Sequence, residues 1–493
     1  MDSLVNYIQD INASTAGATS VVDSIQSWIW ENFLFVALIV VGLFLTIRTR
    51  AVQWRSLPEM LRVLTDPSGH EADGSKSISS FRAFTVSAAS RVGTGNIAGV
   101  AVAIAMGGPG AVFWMWVIAA VGGASAFAES LLGQLYKERG KDSYIGGPAY
   151  YMQRGLNARW LGLIFVGFIV LTYSFVFCAV QTNAIVEAGA NSFNISIEGT
   201  DGMGFRIVVG LFIAALTAAI IFGGIRRVSK AAEIIVPLMA VLYLVIALFI
   251  IATNISLIPE VFGQIFSNAF KFDSAAGGFL GGLISTTMMQ GIKRGLYSNE
   301  AGMGSAPNAA AAAEVKHPVS QGMIQMLGVF VDTIIVCSCT AFIVLTYQQP
   351  YGDLSGAALT QAAIVNQVGE WGAGFLAVIL FMFAFSTVIG NYAYAESNVQ
   401  FIKSHWLVTA VFRMLVLAWV YFGAVANVPL VWDMADMAMG IMAWINLVAI
   451  LLLSPLAFLL LKDYTAKLKM GKDPEFKLSE HPGLKRKIKS DIW

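Results

Sequence analysis

The residues with the most chemistry to offer interrupt an apolar run that is long enough to cross a membrane. Residues 84–116 read FTVSAASRVGTGNIAGVAVAIAMGGPGAVFWMW, with Arg91, Gly93, Thr94, Gly95 and Asn96 near the start. Glycine is a poor helix former and tolerates unusual dihedral angles. Backbone amides and carbonyls freed at such a point bind carboxylates and hard cations. We therefore predict a break in a membrane helix at Gly93–Asn96.

Two adjacent hydroxyls lie in the middle of another apolar segment, FMFAFSTVIGNYAYAESN, as Ser386 and Thr387. Hydroxyl and carbonyl oxygens are the ligands that a hard cation prefers. Alternatively, both hydroxyls donate back to carbonyls of the preceding helical turn. The sequence leaves both interpretations open.

Two further apolar segments carry isolated polar groups. Gln181 follows Phe177 by one helical turn on the same face, where it binds a substrate or joins two helices; Phe177 alone is typical of core packing. Asp332, in GVFVDTIIVCSCTAF, is costly within a membrane and is therefore a functional candidate. It tunes ion coupling or pairs with Arg91 or Arg413.

The composition excludes several classes of protein. Of 493 residues, 57% are hydrophobic and 12% are charged, about half the charged fraction of soluble proteins. A net charge of +1 gives no reason to expect a nucleic acid partner. The three cysteines lie in apolar runs and are expected to be buried free thiols. We find no Walker A motif, nucleophile–base pair or metal-ligand histidine spacing, so we predict no enzyme activity.

The rest of the chain supplies the helices that must position these groups. About 20 apolar residues cross a bilayer, and strand-like alternation is absent. We predict an all-α polytopic membrane protein with about eleven transmembrane helices. The predicted spans are 28–47, 80–108, 110–136, 160–188, 205–223, 231–253, 258–296 (interrupted), 320–346, 371–397, 406–425 and 433–461.

Lysine and arginine are distributed unevenly among the connections. They cluster in 48–79, 137–159, 224–230 and the tail after 461, whereas 1–27, 189–204, 347–370 and 426–432 contain neither. By the positive-inside rule, the N-terminus is outside and the C-terminus is cytoplasmic, in a multi-pass protein of the cell membrane. The basic tail is expected to be a solvated anchor on the anionic lipid leaflet.

A second irregular stretch, residues 274–313, offers two candidate breaks. Lys293 and Arg294 are expected at the cytoplasmic surface, about 20 Å along a helix from the glycines of Gly277–Gly282. We therefore predict the second midplane break there, with Gly278, Phe279 and Gly282 at the substrate. The stretch Asn299–Gly304 would then be a cytoplasmic cap or inner gate. In such a gate Arg91 pairs with Glu300 or Asp332; the alternative is that it snorkels to water.

The two breaks are five spans apart, and this odd offset predicts two five-helix units of inverted topology. The sequence also resembles the alanine/glycine:sodium symporters, a family with a LeuT-like fold. The resemblance rests on RVGTGNIAGVA, GGPGAVFWMWVIAAVGG, GGPAYYMQRGL and RGLYSNEAGMGSAP, within residues 91–307, and on the hydropathy of nearly the whole chain.

The resemblance implies roles for the polar residues. The carbonyls of Ala89 and Val92 would bind sodium, with Ser386 and Thr387 completing the site. The amides of Thr94 and Gly95 would bind an amino acid carboxylate. Asn96, Phe177 and Gln181 would contribute to the same pocket. Asn391 lies where many members of the family carry tryptophan, and the smaller side chain would leave room for glutamine. These implied residues are Ala89, Val92, Thr94, Gly95, Asn96, Phe177, Gln181, Ser386, Thr387 and Asn391.

The sequence therefore predicts a symporter that couples inward sodium flow to uptake of a small neutral amino acid. Proton coupling through Asp332 is the alternative, and a channel is a weaker one. The expected partners are the amino acid, the sodium ion and the lipid bilayer, with no obligate protein partner. The predicted organisation is an extracytoplasmic segment (1–27), an extra helix (28–47), two five-helix repeats (80–253 and 258–461) and a basic tail (462–493).

Overall fold

The computed structural model describes residues 20–66, 78–140, 143–196, 199–270, 285–425, 430–485, 488 and 492–493. Helices make up most of this part of the chain, as the sequence predicts. Two short strands, β1 (Glu138–Arg139) and β2 (Tyr144–Ile145), pair antiparallel in one connection.

The helices are numbered here in chain order. They are α1 (Ser20–Arg48), α2 (Val52–Arg55), α3 (Leu57–Leu64), α4 (Ser80–Arg91), α5 (Gly95–Gly107), α6 (Ala111–Leu135), α7 (Pro148–Gly155), α8 (Arg159–Ser192), α9 (Gly199–Ile221), α10 (Gly224–Thr253), α11 (Ile258–Asn268), α12 (Thr286–Asn299), α13 (Ala306–Ala312), α14 (Pro318–Leu345), α15 (Gly356–Val368), α16 (Trp371–Ile402), α17 (Trp406–Val425), α18 (Leu430–Lys469) and α19 (Pro482–Lys485).

Nine of the described helices are long and apolar enough to cross a membrane, and α4 with α5 forms a tenth, bent span. They match ten of the predicted spans. The predicted interrupted span 258–296 corresponds to α11 and α12, which lie on either side of the undescribed residues 271–284, and a further interruption follows α12. The glycines at 277–282 lie outside the described residues.

The two interrupted helices lie at the centre of the bundle. α4 packs against α10, α14 and α16, whereas α5 packs against α12 and α15. Several helices have π-helical turns, at Trp30–Leu34, Gly95–Gly99, Val170–Phe177 and Phe330–Cys337. Such turns often mark functional positions, and the last three contain Gly95, Phe177 and Asp332.

The C-terminal tail packs against the protein, which differs from the solvated anchor that the sequence predicts. The Phe476 amide donates to the Lys316 carbonyl at 2.9 Å, and the Trp493 indole donates to the Leu135 carbonyl at 3.2 Å. Phe476 is buried. The Phe476 ring packs on His317 and on Trp493, so aromatic contacts hold this part of the tail against the protein.

Candidate functional site

The first break lies where the sequence predicts it. α4 ends at Arg91, α5 begins at Gly95, and the two helices differ in direction by 52°. The Asn96 side chain caps the turn, because its Oδ1 accepts from the Gly93 amide at 2.9 Å. A Cβ at Gly93 would overlap the Thr387 hydroxyl, and one at Gly95 would lie 2.7 Å from the Tyr297 ring. Glycine is therefore required for this close approach.

Oxygen atoms converge beside the break. The Thr387 hydroxyl lies 3.0 Å from the Ala89 carbonyl oxygen, 3.5 Å from that of Val92 and 3.0 Å from that of Phe383. One hydroxyl proton cannot satisfy three carbonyl oxygens. The cluster therefore has surplus oxygen acceptors, which is the composition that a hard cation needs.

Ser386 does not join this cluster in the structure. Its hydroxyl donates to the Phe383 carbonyl at 2.8 Å and lies 3.4 Å from the Met239 sulfur. This is the back-bonded alternative that the sequence left open. Of the two adjacent hydroxyls, only that of Thr387 faces Ala89 and Val92.

Gln181 reaches the amide side of the break. Its Oε1 accepts from the Thr94 amide at 3.1 Å, and its Nε2 lies 3.4 Å from the Tyr297 hydroxyl. Phe177 packs on Tyr297 with ring centroids 4.9 Å apart. The structure therefore brings Thr94, Gly95, Phe177 and Gln181 together, and it adds Tyr297.

Asp332 lies on the other side of the same break. Its carboxylate accepts from Asn96 Nδ2 at 2.6 Å, from the Ser298 hydroxyl at 2.6 Å and from the Thr333 hydroxyl at 2.9 Å. Arg413, a predicted partner, instead binds Glu396 at 2.8 Å. Asp332 thus holds the two broken helices together through neutral donors.

The second break occupies the linker between α12 and α13. Glu300, Gly302 and Gly304 adopt positive φ angles of 57°, 87° and 82°, which only glycine adopts without cost. The placement of this stretch as a cytoplasmic cap is wrong, because Ser298 at the end of α12 contacts Asn96 at 2.9 Å.

Lys293 and Arg294 lie inside the protein rather than at a surface. Both are buried, and they bind Gln26 and Asp436 at 2.6 Å each. Those partners belong to segments that the charge asymmetry places on the outer side. Membrane proteins tolerate such cations when they are paired, so this pair is no marker of the cytoplasmic surface. Gly278, Phe279 and Gly282 lie outside the described residues.

Two carboxylates fix the second linker. Glu300 Oε1 lies 3.0 Å from the Ser90 hydroxyl, and its Oε2 accepts from the Ser305 hydroxyl at 2.7 Å. Glu129 accepts from the amides of Gly302 at 3.2 Å and Gly304 at 3.0 Å. Glu129 is completely buried, and these amides supply the donors that water would otherwise supply.

Asn391 lies directly against the first broken helix. Its Oδ1 accepts from the Ser90 hydroxyl at 2.7 Å, and the side chain is fully buried. Among the described residues its Nδ2 has no oxygen or nitrogen acceptor and interacts with the Cys178 thiol, a weak acceptor. A buried donor with only a weak acceptor beside the break is suited to a polar ligand group.

Comparison with known proteins identifies the family. A profile of the sodium:alanine symporter family matches residues 15–478. The chain belongs to this family. The amino-acid carrier protein AlsT of Bacillus subtilis (strain 168) is 50% identical over 475 residues, covering 96% of this chain and 97% of that protein. The probable sodium/glutamine symporter GlnT of the same strain is 49% identical, covering 92% and 93%.

The symporter also has the fold expected of its class. A solved Na⁺-coupled sialic acid symporter, in a substrate-bound outward-open state, superimposes with a TM-score of 0.50 at 14% identity, over 86% of each chain. This likeness concerns the fold alone. The protein is thus a LeuT-like, sodium-coupled membrane symporter and not an enzyme, and the proton-coupled alternative is not favoured.

Arg91 of the symporter follows neither of the predicted alternatives. Its side chain is buried, and Nη1 donates to the Gln325 carbonyl at 2.9 Å. Within the described part of the chain it forms no ion pair with Glu300 or Asp332 below 4.0 Å. Ser90, the preceding residue, makes the contact to Glu300 instead.

Two crevices approach the breaks from opposite ends of the first broken helix. We name the two crevices outer and inner from the orientation that the sequence predicts. The outer crevice is lined by Gln26, Val102, Met289, Lys293, Trp432 and Asp433, among others. The inner crevice is lined by residues that include Val86, Tyr144, Asn308, Tyr394, Glu396 and Arg413. Val86 lies before the break and Val102 after it, so the break separates the crevices.

The outer crevice ends at a buried ion pair. Arg294 Nη2 lies 2.6 Å from Asp436 Oδ2, which joins α12 to α18. Below it, the Trp432 ring packs on Tyr297 at 5.6 Å, and Tyr297 covers Gly95. Neither Arg294 nor Tyr297 was assigned a role from the sequence, because α12 was placed at the wrong depth.

Proposed function

We propose that the symporter binds its sodium ion at the Ala89 and Val92 carbonyls and the Thr387 hydroxyl. The observation that carries this proposal is the convergence of these oxygens at 3.0 and 3.5 Å from Thr387. Ser386 is adjacent and would join after a change of rotamer. We keep it as a secondary candidate.

The substrate is a small neutral amino acid whose carboxylate binds the Thr94 and Gly95 amides. In the structure Gln181 accepts from Thr94, so a carboxylate would take over that donor and free the Gln181 side chain for the rest of the ligand. Phe177 and Tyr297 then form the apolar wall. Asn96 acts indirectly, because it caps the turn that presents these amides.

Sodium and substrate are coupled through one short piece of backbone. Val92 and Thr94 are separated only by Gly93, so an ion on the Val92 carbonyl orders the peptide that carries the Thr94 amide. A ligand shifts a conformational equilibrium only through its different affinity for the two states. Here sodium favours the state in which the amides are presented to the carboxylate.

Asn391 makes glutamine an acceptable substrate beside alanine and glycine. Its Nδ2, which has no oxygen or nitrogen acceptor among the described residues, offers a donor to a side-chain amide, and the similar protein GlnT is named for glutamine. The N-terminus is outside and the C-terminus cytoplasmic, as the distribution of basic residues indicates.

Transport follows by alternating access between the two crevices. The outer gate consists of Arg294, Asp436 and Trp432. Toward the inner crevice, Glu300 and Asp332 join the two broken helices, and Arg91 anchors the end of α4 on α14.

Uptake into proteoliposomes tests this proposal. Alanine, glycine and glutamine should accumulate with an inward sodium gradient, and choline replacement at fixed pH should abolish accumulation. Sodium-independent accumulation of all three would contradict the proposed ion coupling. If none of the three amino acids accumulates but a solute of another class does, the proposed substrate class is wrong.

A further inference from the structure

The first helix, α1, lies outside the two repeats, yet it contacts Asp436 of the outer gate and Lys293, the neighbour of Arg294. The Trp30 indole donates to the Asp436 carbonyl at 3.0 Å. Gln26 Oε1 accepts from Lys293, the neighbour of Arg294, at 2.6 Å. Lys293 also lies over the Trp30 ring, 5.5 Å from its centroid. One turn of α1 therefore joins α18 to α12.

The ion pair beneath α1 is incomplete on its own. It has one contact, at 2.6 Å, and its side chains are 8% and 6% exposed. Arg294 Nε and Nη1 and Asp436 Oδ1 have no hydrogen-bond partners among the described residues. A buried pair offsets its desolvation only when its remaining donors and acceptors are satisfied. Neighbouring contacts must therefore help to hold the gate closed.

α1 is well placed to supply this help, because it is fixed to the scaffold. Trp30 is completely buried. A Cβ at Gly42 would overlap Val121 of α6, and one at Gly440 of α18 would lie 3.4 Å from the Trp30 indole nitrogen. α12 must separate from α18 to open the outer crevice, and this movement breaks either the Trp30 or the Gln26 contact.

We propose that Trp30 and Gln26 are positioning residues for the outer gate and that α1 stabilises the outward-closed state. The proposal rests on the assignment of Arg294 and Asp436 as the outer gate. It gives the extra helix a function in the transport cycle: the contacts of α1 add to the free energy that sodium and substrate must offset when the crevice opens.

Cysteine accessibility in the full-length protein tests this role. Met289 lines the outer crevice and is replaced by cysteine; the three native cysteines are buried, and the parent protein gives the background. A membrane-impermeant maleimide is added from outside, and the labelling rate is measured with and without sodium. Trp30→Phe keeps an aromatic ring at this position and removes the indole N–H that donates to Asp436. We expect the Trp30→Phe variant to be labelled about fivefold faster than the protein with Met289→Cys alone, because the loss of one hydrogen bond shifts the gate equilibrium by about this factor.

The matched control is Trp28→Phe, since Trp28 lies on the same helix and is 59% exposed. It should label like the parent. Gln26→Ala provides a second variant, with faster labelling expected, and melting temperatures verify that each variant is folded. Unchanged labelling in both Trp30→Phe and Gln26→Ala would overturn the proposal.

Asp436→Asn separates this proposal from the gate itself. If Asp436→Asn labels faster but the α1 variants do not, the gate stands and the role of α1 is wrong. If Asp436→Asn also leaves labelling unchanged, the gate assignment is wrong and the role of α1 falls with it.

Discussion

The Thr387 hydroxyl lies 3.0 Å from the Ala89 carbonyl oxygen, although 298 residues separate them in the chain. This contact joins the first broken helix to an unbroken helix that the sequence assigns to the other five-helix unit. Ala89 belongs to α4 and Thr387 to α16, and Gly390 allows their backbones to cross closely, since a Cβ there would lie 2.7 Å from the Ser90 nitrogen. The affinity for an ion bound between Ala89 and Thr387 therefore depends on the relative position of α4 and α16.

Gly93→Ala should abolish transport. The new Cβ would overlap Thr387 Oγ1, which is part of a helix and cannot withdraw without loss of the oxygen cluster. The control is Gly167→Ala in α8, where nothing lies within 4 Å of the added Cβ. Alanine uptake in proteoliposomes measures both variants. Normal uptake by Gly93→Ala would show that the close approach is dispensable.

Asn391→Trp should narrow the range of substrates. The larger, less polar side chain would fill space and remove the Nδ2 donor beside Ser90. We expect inhibition of alanine uptake by glutamine to weaken by about tenfold, a loss of about 1.4 kcal/mol. Asn391→Ser, which keeps the space, is the control. Equal inhibition by glutamine in Asn391→Trp and the parent would exclude this position from selectivity.

Glu129→Gln should destabilise the protein and slow transport. The substituted amide presents a donor where two backbone amides also donate, at Gly302 and Gly304. An unsatisfied buried donor costs about 1–3 kcal/mol. Thermal unfolding in detergent measures this change, with the exposed Glu370→Gln as the control. A melting temperature equal to that of Glu370→Gln would show that the carboxylate does not hold the linker.

His317, just before α14, should make stability depend on pH. Burial lowers its pKa to about 4, against the opposing effect of Asp463. An unfolded histidine binds a proton near pH 6.5, so the unfolded chain binds more protons between pH 4 and 6.5. Stability therefore falls as the pH is lowered through this window, by on the order of 2 kcal/mol at pH 4.5.

The difference between the parent and His317→Gln isolates this contribution. The variant should lose less stability than the parent between about pH 7.5 and 4.5, measured as melting temperature. His405→Gln, at an exposed position, should behave like the parent. Parallel pH profiles for the parent and His317→Gln would rule out the histidine as the cause.

Ten spans and the first break were predictable because each depends on a local pattern. A run of apolar residues defines α6 or α16, and two glycines with Asn96 define the break between α4 and α5. The prediction that Thr387 lies near Ala89 came from the family resemblance and not from any local pattern. Periodicity alone gave no reason to prefer Thr387 over Ser386, because rotamer choice depends on neighbours such as Met239.

The sequence offered Asn299–Gly304 only as the less favoured of two breaks, because the depth of this stretch depends on a tertiary contact. Lys293 and Arg294 look like a surface pair in the sequence, and nothing local reveals that Gln26 and Asp436 bind them. With α12 predicted closer to the cytoplasmic surface, nothing in the sequence indicated that Tyr297 and Ser298 lie beside Gly95 and Asn96. The one sequence signal for a break at this position was the polar triplet Ser298-Asn299-Glu300 at the end of a buried helix.

The sodium dependence of alanine uptake by Thr387→Ala, compared with Ser386→Ala, tests the central claim most directly. The two residues are adjacent and similar, but only Thr387 faces the Ala89 and Val92 carbonyls. We predict that Thr387→Ala raises the sodium concentration for half-maximal uptake by about tenfold or more, the effect of about 1.4 kcal/mol, whereas Ser386→Ala changes it by less than about twofold. An unchanged sodium dependence in Thr387→Ala would contradict the proposed site.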